Sequence, residues 1–146
     1  MAETDPTETP EGGTIDGLNP ARLEAANTAV EKLADAYPAL AMLNLQEIRA
    51  TFALGRSGDS KEIKEALHRF AHNLIGQGAL FRYPLISEIA QSMYGHLREH
   101  DRSRDLRCVT IEAYFDAIEE VFDRKLVGDC GPEGDAILTR LEALAA

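Results

Sequence analysis

The sequence predicts an all-α protein, and three observations carry this prediction. Apolar residues recur every three or four positions in five or six segments, which is the period of an amphipathic helix. No stretch alternates between apolar and polar residues over more than a few positions, as a half-buried strand would. Short breaks separate the segments, so we expect neighbouring helices to pack antiparallel and bury one another's apolar faces in a bundle.

Length, composition and charge limit the possible functions. With 146 residues, of which 45% are hydrophobic, the chain has the size of one domain. A net charge of −10 argues against nucleic-acid partners and acidic membrane surfaces. The chain lacks both an apolar run of about 18 residues and a signal-peptide pattern, so we expect a cytoplasmic protein without a membrane partner. Its two cysteines, Cys108 and Cys130, are expected to be unpaired thiols.

The N-terminal residues 1–19 are expected to form a disordered acidic tail. They contain five carboxylates, two prolines and no Lys or Arg. Such a composition buries too little apolar surface to offset the entropy of the chain. Residues 20–146 are therefore predicted to form the folded domain.

Two helical segments are predicted before the first long loop. Asn19 is a good N-cap, and Pro20 suits the first helical position because its missing N–H costs no bond there. A second segment follows Tyr37-Pro38 and ends at the loop from Gly55 to Gly58, after which Asp59 or Ser60 is expected to cap the next helix. The apolar residues of the two segments are Leu23, Ala26, Val30 and Leu33, then Leu40, Leu43, Ile48 and Phe52.

Four further helices are predicted in the rest of the chain. The third begins near Lys61, and the fourth begins at Pro84 and precedes the charged run from Arg98 to Arg104. The fifth spans residues 109–122, and a short last helix follows the turn at residues 128–134. Their apolar residues are Ile63, Leu67, Phe70 and Leu74; Leu85, Ile86, Ile89, Met93 and Leu97; Val109, Ile111, Phe115, Ile118 and Phe122; and Ile137, Leu141 and Leu144.

His72 is predicted to be exposed on the third helix. At about 100° per residue, the apolar stripe of this helix covers roughly 60°, and His72 falls roughly 180° from its centre. An imidazole has an ordinary pKa of about 6.5, so a large neutral fraction is available as a nucleophile near pH 7.

Small residues follow His72 on the same face. Gly76 lies one turn further on and Ala79 at i+7, although each helical Gly costs about 0.8–1 kcal/mol relative to Ala. This arrangement suggests that a large partner must approach the imidazole. The alternative is an ordinary surface histidine beside a tolerated glycine. Gly78 lies nearer the apolar stripe and is expected to permit close helix packing.

The segment resembles the histidine-containing phosphotransfer (HPt) family, whose signature is His-x-x-Lys-Gly followed by small residues. The match runs from His72 to Gly76, after "ALHRFA" and before "GALFRYPLISEIAQSM", and "VGDCGPEGDAILTRL" resembles the family's closing helix. The resemblance covers roughly residues 20–146. It implies an antiparallel four-helix bundle of HPt type with an additional N-terminal helical segment.

The resemblance also implies a function in a phosphorelay. His72 would accept a phosphoryl group from a receiver-domain aspartate and pass it to another receiver, with the metal ion, Mg, held by the receiver. We therefore expect a phosphocarrier and not an enzyme, with no cofactor of its own. The expected partners are response-regulator receiver domains and a hybrid histidine kinase, and a monomer is the simplest oligomeric state.

Two positions depart from the family pattern. The Lys three residues after the histidine is Ile75, and the Gly about ten residues after it is Arg82 or Tyr83. Losing the cation would slow transfer or shorten the life of the phosphohistidine. The alternative function is therefore an HPt-shaped adaptor that docks receiver or kinase domains with weak or no phosphotransfer. A structural bundle without phosphoryl chemistry is a third reading.

Other residues near His72 are candidates for contacting the phosphoryl group or the partner. Arg69, at i−3, could supply the missing cation or form a surface ion pair. Asn73 and Gln77 could hydrogen-bond the imidazole or a partner backbone. Ile75 could offer an apolar contact or lie at the edge of the bundle.

The histidine pairs do not predict a metal site. His68 and His72 are four residues apart, as are His96 and His100, so each pair shares a helix face. Di-iron bundles, however, need paired inward Glu-x-x-His elements, and only one such element occurs here. His96 and His100 lie in a polar run and are expected to be solvated.

Overall fold

The computed structural model describes residues 19–55, 61–103 and 108–145. Within these ranges the chain forms five α-helices and no strand, which confirms the all-α prediction. The predicted acidic tail, apart from Asn19, and the predicted caps Asp59 and Ser60 lie outside the described residues. The helices are α1 (Pro20–Gly55), α2 (Lys61–Leu80), α3 (Pro84–Ser103), α4 (Cys108–Asp123) and α5 (Gly131–Ala145).

The chain divides into two units, and the boundary between Asp35 and Ala36 lies inside α1. The described part of the first unit is the beginning of that helix. The side-chain Oδ1 of Asn19 accepts a hydrogen bond from the backbone N–H of Arg22 at 2.9 Å, as an N-cap does. The predicted start of α1 at Pro20 is therefore confirmed. Leu23, Val30 and Leu33 are exposed.

The prediction of two separate helices before Gly55 is wrong, because the single helix α1 extends to Gly55. Pro38 lies inside α1, although an internal Pro costs about 3 kcal/mol because it lacks an N–H and crowds the preceding turn. Tyr37 and Ala41 on either side of it are buried. Burying a large side chain contributes about 1.5–3 kcal/mol, which is comparable with the cost of the proline.

The core-facing residues of α1 also differ from those predicted. Leu40 and Leu43 are exposed, with 58% and 63% of their surface accessible, while Ile48 and Phe52 are buried as expected. These leucines have helical spacing, but they lie on a face of α1 next to the buried one. The buried residues of this part of α1 are Tyr37, Ala41, Leu45, Ile48 and Phe52.

Helices α2 and α3 approach each other most closely at Gly78. A Cβ built on Gly78 would lie 2.7 Å from the Oγ of Ser87 and 2.9 Å from both the Ser87 nitrogen and the Tyr83 carbonyl oxygen. The Oγ of Ser87 also donates a hydrogen bond to the carbonyl oxygen of Ile75 at 2.7 Å. The predicted role of Gly78 in close helix packing is confirmed, and the two helices are antiparallel neighbours.

Helix α4 contacts the other helices of this unit. The ring of Phe115 packs edge-on against Phe52 of α1 at 5.9 Å and against Phe70 of α2 at 6.2 Å between centroids. The hydroxyl of Tyr114 shares a 2.7 Å hydrogen bond with Ser92 of α3. Toward α5, Glu120 accepts a hydrogen bond from Arg140 at 2.9 Å. The centre of the core therefore lies around α4.

Two helix boundaries differ from the prediction. Helix α3 continues through the charged run to Ser103, since charged residues are good helix formers wherever one face stays in water. Helix α5 begins at Gly131, so the connecting turn is shorter than predicted, and Pro132 lies in the first helical turn, where proline is tolerated.

Two smaller observations complete the fold. Cys130 is unpaired, as predicted, and the Cys108 side chain lies outside the description. No helix in the described ranges is long and apolar enough to cross a membrane.

The two helical glycines of α2 should respond in opposite ways to alanine. Gly78→Ala should lower the free energy of unfolding by about 1–3 kcal/mol, because backbone atoms of Tyr83 and Ser87 block the new methyl group. Gly76→Ala should raise it by about 0.8–1 kcal/mol, because a Cβ there meets no described atom within 4 Å. Urea denaturation of both variants measures the difference, and equal effects would contradict the packing described here.

Tyr37 should make the protein sensitive to alkaline pH. Burial raises the pKa of Tyr37 above its ordinary value of 10.0, and its hydroxyl has no hydrogen-bond partner among the described residues. The unfolded chain loses this proton near pH 10 while the native state keeps it, so the stability it contributes is present below about pH 10 and is lost as the pH rises further.

Tyr37→Phe should therefore flatten the loss of stability above about pH 10. At neutral pH it should be neutral or stabilising by up to about 1 kcal/mol, because no hydrogen bond is lost. Tyr114→Phe serves as the comparison at neutral pH only: it removes the bond to Ser92 and should cost about 1 kcal/mol there, whereas burial raises the pKa of Tyr114 as well. Denaturation curves at several pH values test both variants, and an alkaline loss in Tyr37→Phe as steep as in the unchanged protein would refute the assignment.

Candidate functional site

His72 lies on the solvent side of α2. It is exposed, as its position opposite the apolar stripe predicts. The opposite face of the helix is buried, with Leu67 fully buried and Leu74 3% exposed. The packing of α2 against the core therefore holds the imidazole at the surface.

Two small residues form the surface one to two turns beyond His72. Gly76 and Ala79 are exposed. A Cβ built on Gly76 would meet no atom of the described chain within 4 Å. Packing within the described chain therefore does not require glycine at this position, in contrast to Gly78.

Tyr94 of α3 lies beside the imidazole, at a position that the sequence pattern does not predict. Its ring centroid is 6.5 Å from that of His72, with the planes tilted by 48°. It is also 5.3 Å from the ring of His68, with the planes at 81°. The register between the two helices could have indicated this residue. Tyr94 lies seven residues, or two turns, after Ser87 and therefore on the same face of α3. Because α2 and α3 are antiparallel, Tyr94 faces the part of α2 that lies two turns before Gly78.

Three of the predicted partner-binding residues lie on the other flank of α2. Arg69, Asn73 and Gln77 line a groove of about 330 Å³ between α1 and α2. Its polar residues from α1 are Asn44, Glu47 and Thr51, and its floor is formed by Ile48, Ala66, Phe70 and Leu74. The structure thus brings these three residues together toward α1, whereas the ring of His72 contacts a residue of α3.

Ile75 is half-buried and packs against the hydrophobic core. Its carbonyl oxygen accepts the hydrogen bond from Ser87. Ile75 therefore lies at the edge of the core and keeps some apolar surface accessible. It provides no cation at this position.

Arg82 has the backbone conformation that a glycine would take most easily. Its φ is +76°, in the left-handed region, where a side chain costs about 1 kcal/mol or more. Its carbonyl oxygen accepts a hydrogen bond from the backbone N–H of Gly128 at 3.0 Å. The single glycine of the family pattern falls at either Arg82 or Tyr83, and Tyr83 is buried.

The prediction that His96 is solvated is wrong. His96 is 5% exposed, and its ring centroid lies 6.1 Å from that of Tyr114. The reason is that α3 continues beyond this residue, so His96 lies on the inner face next to Leu97, which is also buried. The side chain of His100 lies outside the described residues.

The described residues contain no group of three or more His, Cys, Asp or Glu side chains placed to hold a metal ion. His68, which shares a face with His72, packs edge-on against Tyr94.

Comparisons with protein-family models, with curated proteins and with solved structures found no match for this chain. Any assignment of function therefore depends on the residues and their geometry.

Proposed function

We propose that the protein is a phosphorelay intermediate of the HPt type, with His72 as the phosphoacceptor. The observation that carries this proposal is the pairing of an exposed His72 with Gly76, a helical glycine that packing within the described chain does not require. A residue that weakens a helix by about 1 kcal/mol is best explained by the space it leaves for a partner.

The helix arrangement supports the proposal. Helix α2 contacts α3, α3 contacts α4, and α4 contacts the second unit's part of α1. Under this proposal these four helices would form the HPt-type bundle, and α5, whose sequence resembles the family's closing helix, would pack beside α4. The beginning of α1 then corresponds to the additional N-terminal segment.

The chemistry needs little from this chain beyond a positioned nucleophile. A ring nitrogen of neutral His72 would attack the phosphorus of a receiver's aspartyl phosphate. The N–P bond forms as the acyl-phosphate P–O bond breaks, and the electron pair of that bond returns to the aspartate carboxylate. The receiver would supply the divalent cation that neutralises the transferring phosphoryl group. Transfer to a second receiver reverses these steps.

Arg69, Asn73 and Gln77 would then bind the partner and not the phosphoryl group itself. They line the groove toward α1, and their amide and guanidinium groups can hydrogen-bond the backbone of a docked receiver. Gly76 and Ala79 would lie beneath the receiver's active-site loops. Ile75 would contribute an apolar contact at the edge of this surface.

Ile75 favours a second candidate function, an adaptor that docks receiver or kinase domains with weak or no transfer. Its half-buried side chain replaces the cation that would attract the phosphoryl group. A solvated cation at this distance is worth about 1 kcal/mol, which is too little to abolish transfer. The carrier is therefore the preferred proposal.

Phosphoryl transfer to His72 is the direct test. Incubation with a labelled, phosphorylated receiver and Mg²⁺ should give acid-labile, alkali-stable label on the protein, and His72→Gln should remove it completely. His68→Gln is the matched control because it changes the other histidine of the same helix, and it should still accept label. Label that persists in His72→Gln would refute the assignment, and tight receiver binding without any label would favour the adaptor.

Substitutions at residues 75 and 76 should affect receiver binding and phosphoryl transfer to different extents. Gly76→Leu should weaken receiver binding and transfer at least tenfold because its side chain occupies the clear surface, while Gly76→Ala should have a smaller effect.

Ile75→Lys should speed transfer several-fold, as expected for about 1 kcal/mol of added attraction. Binding by calorimetry and transfer by rapid quench measure these effects, and unchanged binding in Gly76→Leu would place the docking surface elsewhere.

A further inference from the structure

We propose that Tyr94 is a positioning residue for His72: its ring forms an aromatic support that orients the imidazole for attack on phosphorus. This inference rests on the proposed function and extends it to α3. The contact between the rings of Tyr94 and His72 and the contact between Tyr94 and His68 carry it.

The contact geometry is that of interacting rings. Aromatic pairs interact at centroid separations of 4.5–7 Å in offset or edge-to-face arrangements. The His68–Tyr94 pair, at 5.3 Å and 81°, is edge-to-face, and the Tyr94–His72 pair, at 6.5 Å and 48°, is tilted. Tyr94 therefore touches both histidines of the exposed face of α2.

Tyr94 is itself held in place. It is half-buried and packs against the hydrophobic core, and His68 packs against its other side. An exposed histidine on a helix otherwise samples several rotamers. A fixed ring beside it restricts that sampling, so less entropy is lost when the imidazole aligns with the phosphorus.

The support depends on the ring of Tyr94 and not on its hydroxyl, because the contact with the imidazole is between the two rings.

The test compares Tyr94→Leu, Tyr94→Phe and Phe81→Leu. Phe81 is also half-buried, and its ring contact is with Tyr37, so Phe81→Leu controls for the general effect of removing an aromatic side chain. The first readout, NMR of the His72 ring, follows its rotamer populations and its ring-proton shifts. The second is the rate of phosphorylation by phosphoramidate, a small donor whose P–N bond breaks with release of ammonia and which needs no docking surface.

Tyr94→Leu should broaden the rotamer distribution of His72 and slow phosphorylation about 2- to 10-fold, as expected for the loss of one aromatic pair. Tyr94→Phe should restore both readouts, and Phe81→Leu should change neither. Unchanged rotamers and rate in Tyr94→Leu, or failure of Tyr94→Phe to restore them, would overturn the inference.

The outcome for Tyr94 is distinguishable from the outcome for the proposed function. If wild-type protein accepts no phosphoryl group from either phosphoramidate or a receiver, the proposed function fails, and the positioning inference fails with it whatever the NMR readout shows. If wild-type protein is labelled at His72 and Tyr94→Leu is labelled equally fast, the proposed function stands and the inference about Tyr94 is wrong.

Discussion

The close approach of α2 and α3 at Gly78 is the constraint on which the candidate site depends. Without a Cβ at this position, the backbone of α3 comes near enough for Ser87 to donate a hydrogen bond to the carbonyl oxygen of Ile75. That bond fixes how far one helix is displaced along the other. Two turns further along α3, about 10.5 Å away, Tyr94 consequently lies beside His68 and His72.

The two glycines of α2 serve different purposes, although the sequence places them only two residues apart. Gly78 faces inward and makes the helix contact possible, so its cost in helix propensity is offset within the fold. Gly76 faces outward, and its cost is not offset by any contact of the described chain. A helix that is anchored on one face and kept clear on the other is well suited to presenting a nucleophile to a second protein.

The sequence predicts the buried face of a helix best where only one set of its apolar residues has helical spacing. In α2 the steps of four, three and four identified the buried face, and from it the exposure of His72. In α1 two overlapping sets of apolar residues share helical spacing, so the spacing alone does not separate the exposed Leu40 from the buried Leu45. Pro38 could not be judged locally, because its cost is offset by burial against distant residues. Tyr94 was missed for a related reason: its neighbours follow from the register between helices, which no single segment specifies.

The claim that His72 carries the phosphoryl group is tested most directly by observing the bond itself. Phosphorus NMR of the protein, after incubation with a phosphorylated receiver and Mg²⁺, reports on an N–P linkage. Correlation from phosphorus to carbon-bound ring protons then identifies the histidine. If His72 is the phosphoacceptor, one N–P signal should correlate with the ring of His72. A signal that correlates with His68, His96 or His100, or no N–P signal although the receiver binds, would contradict it.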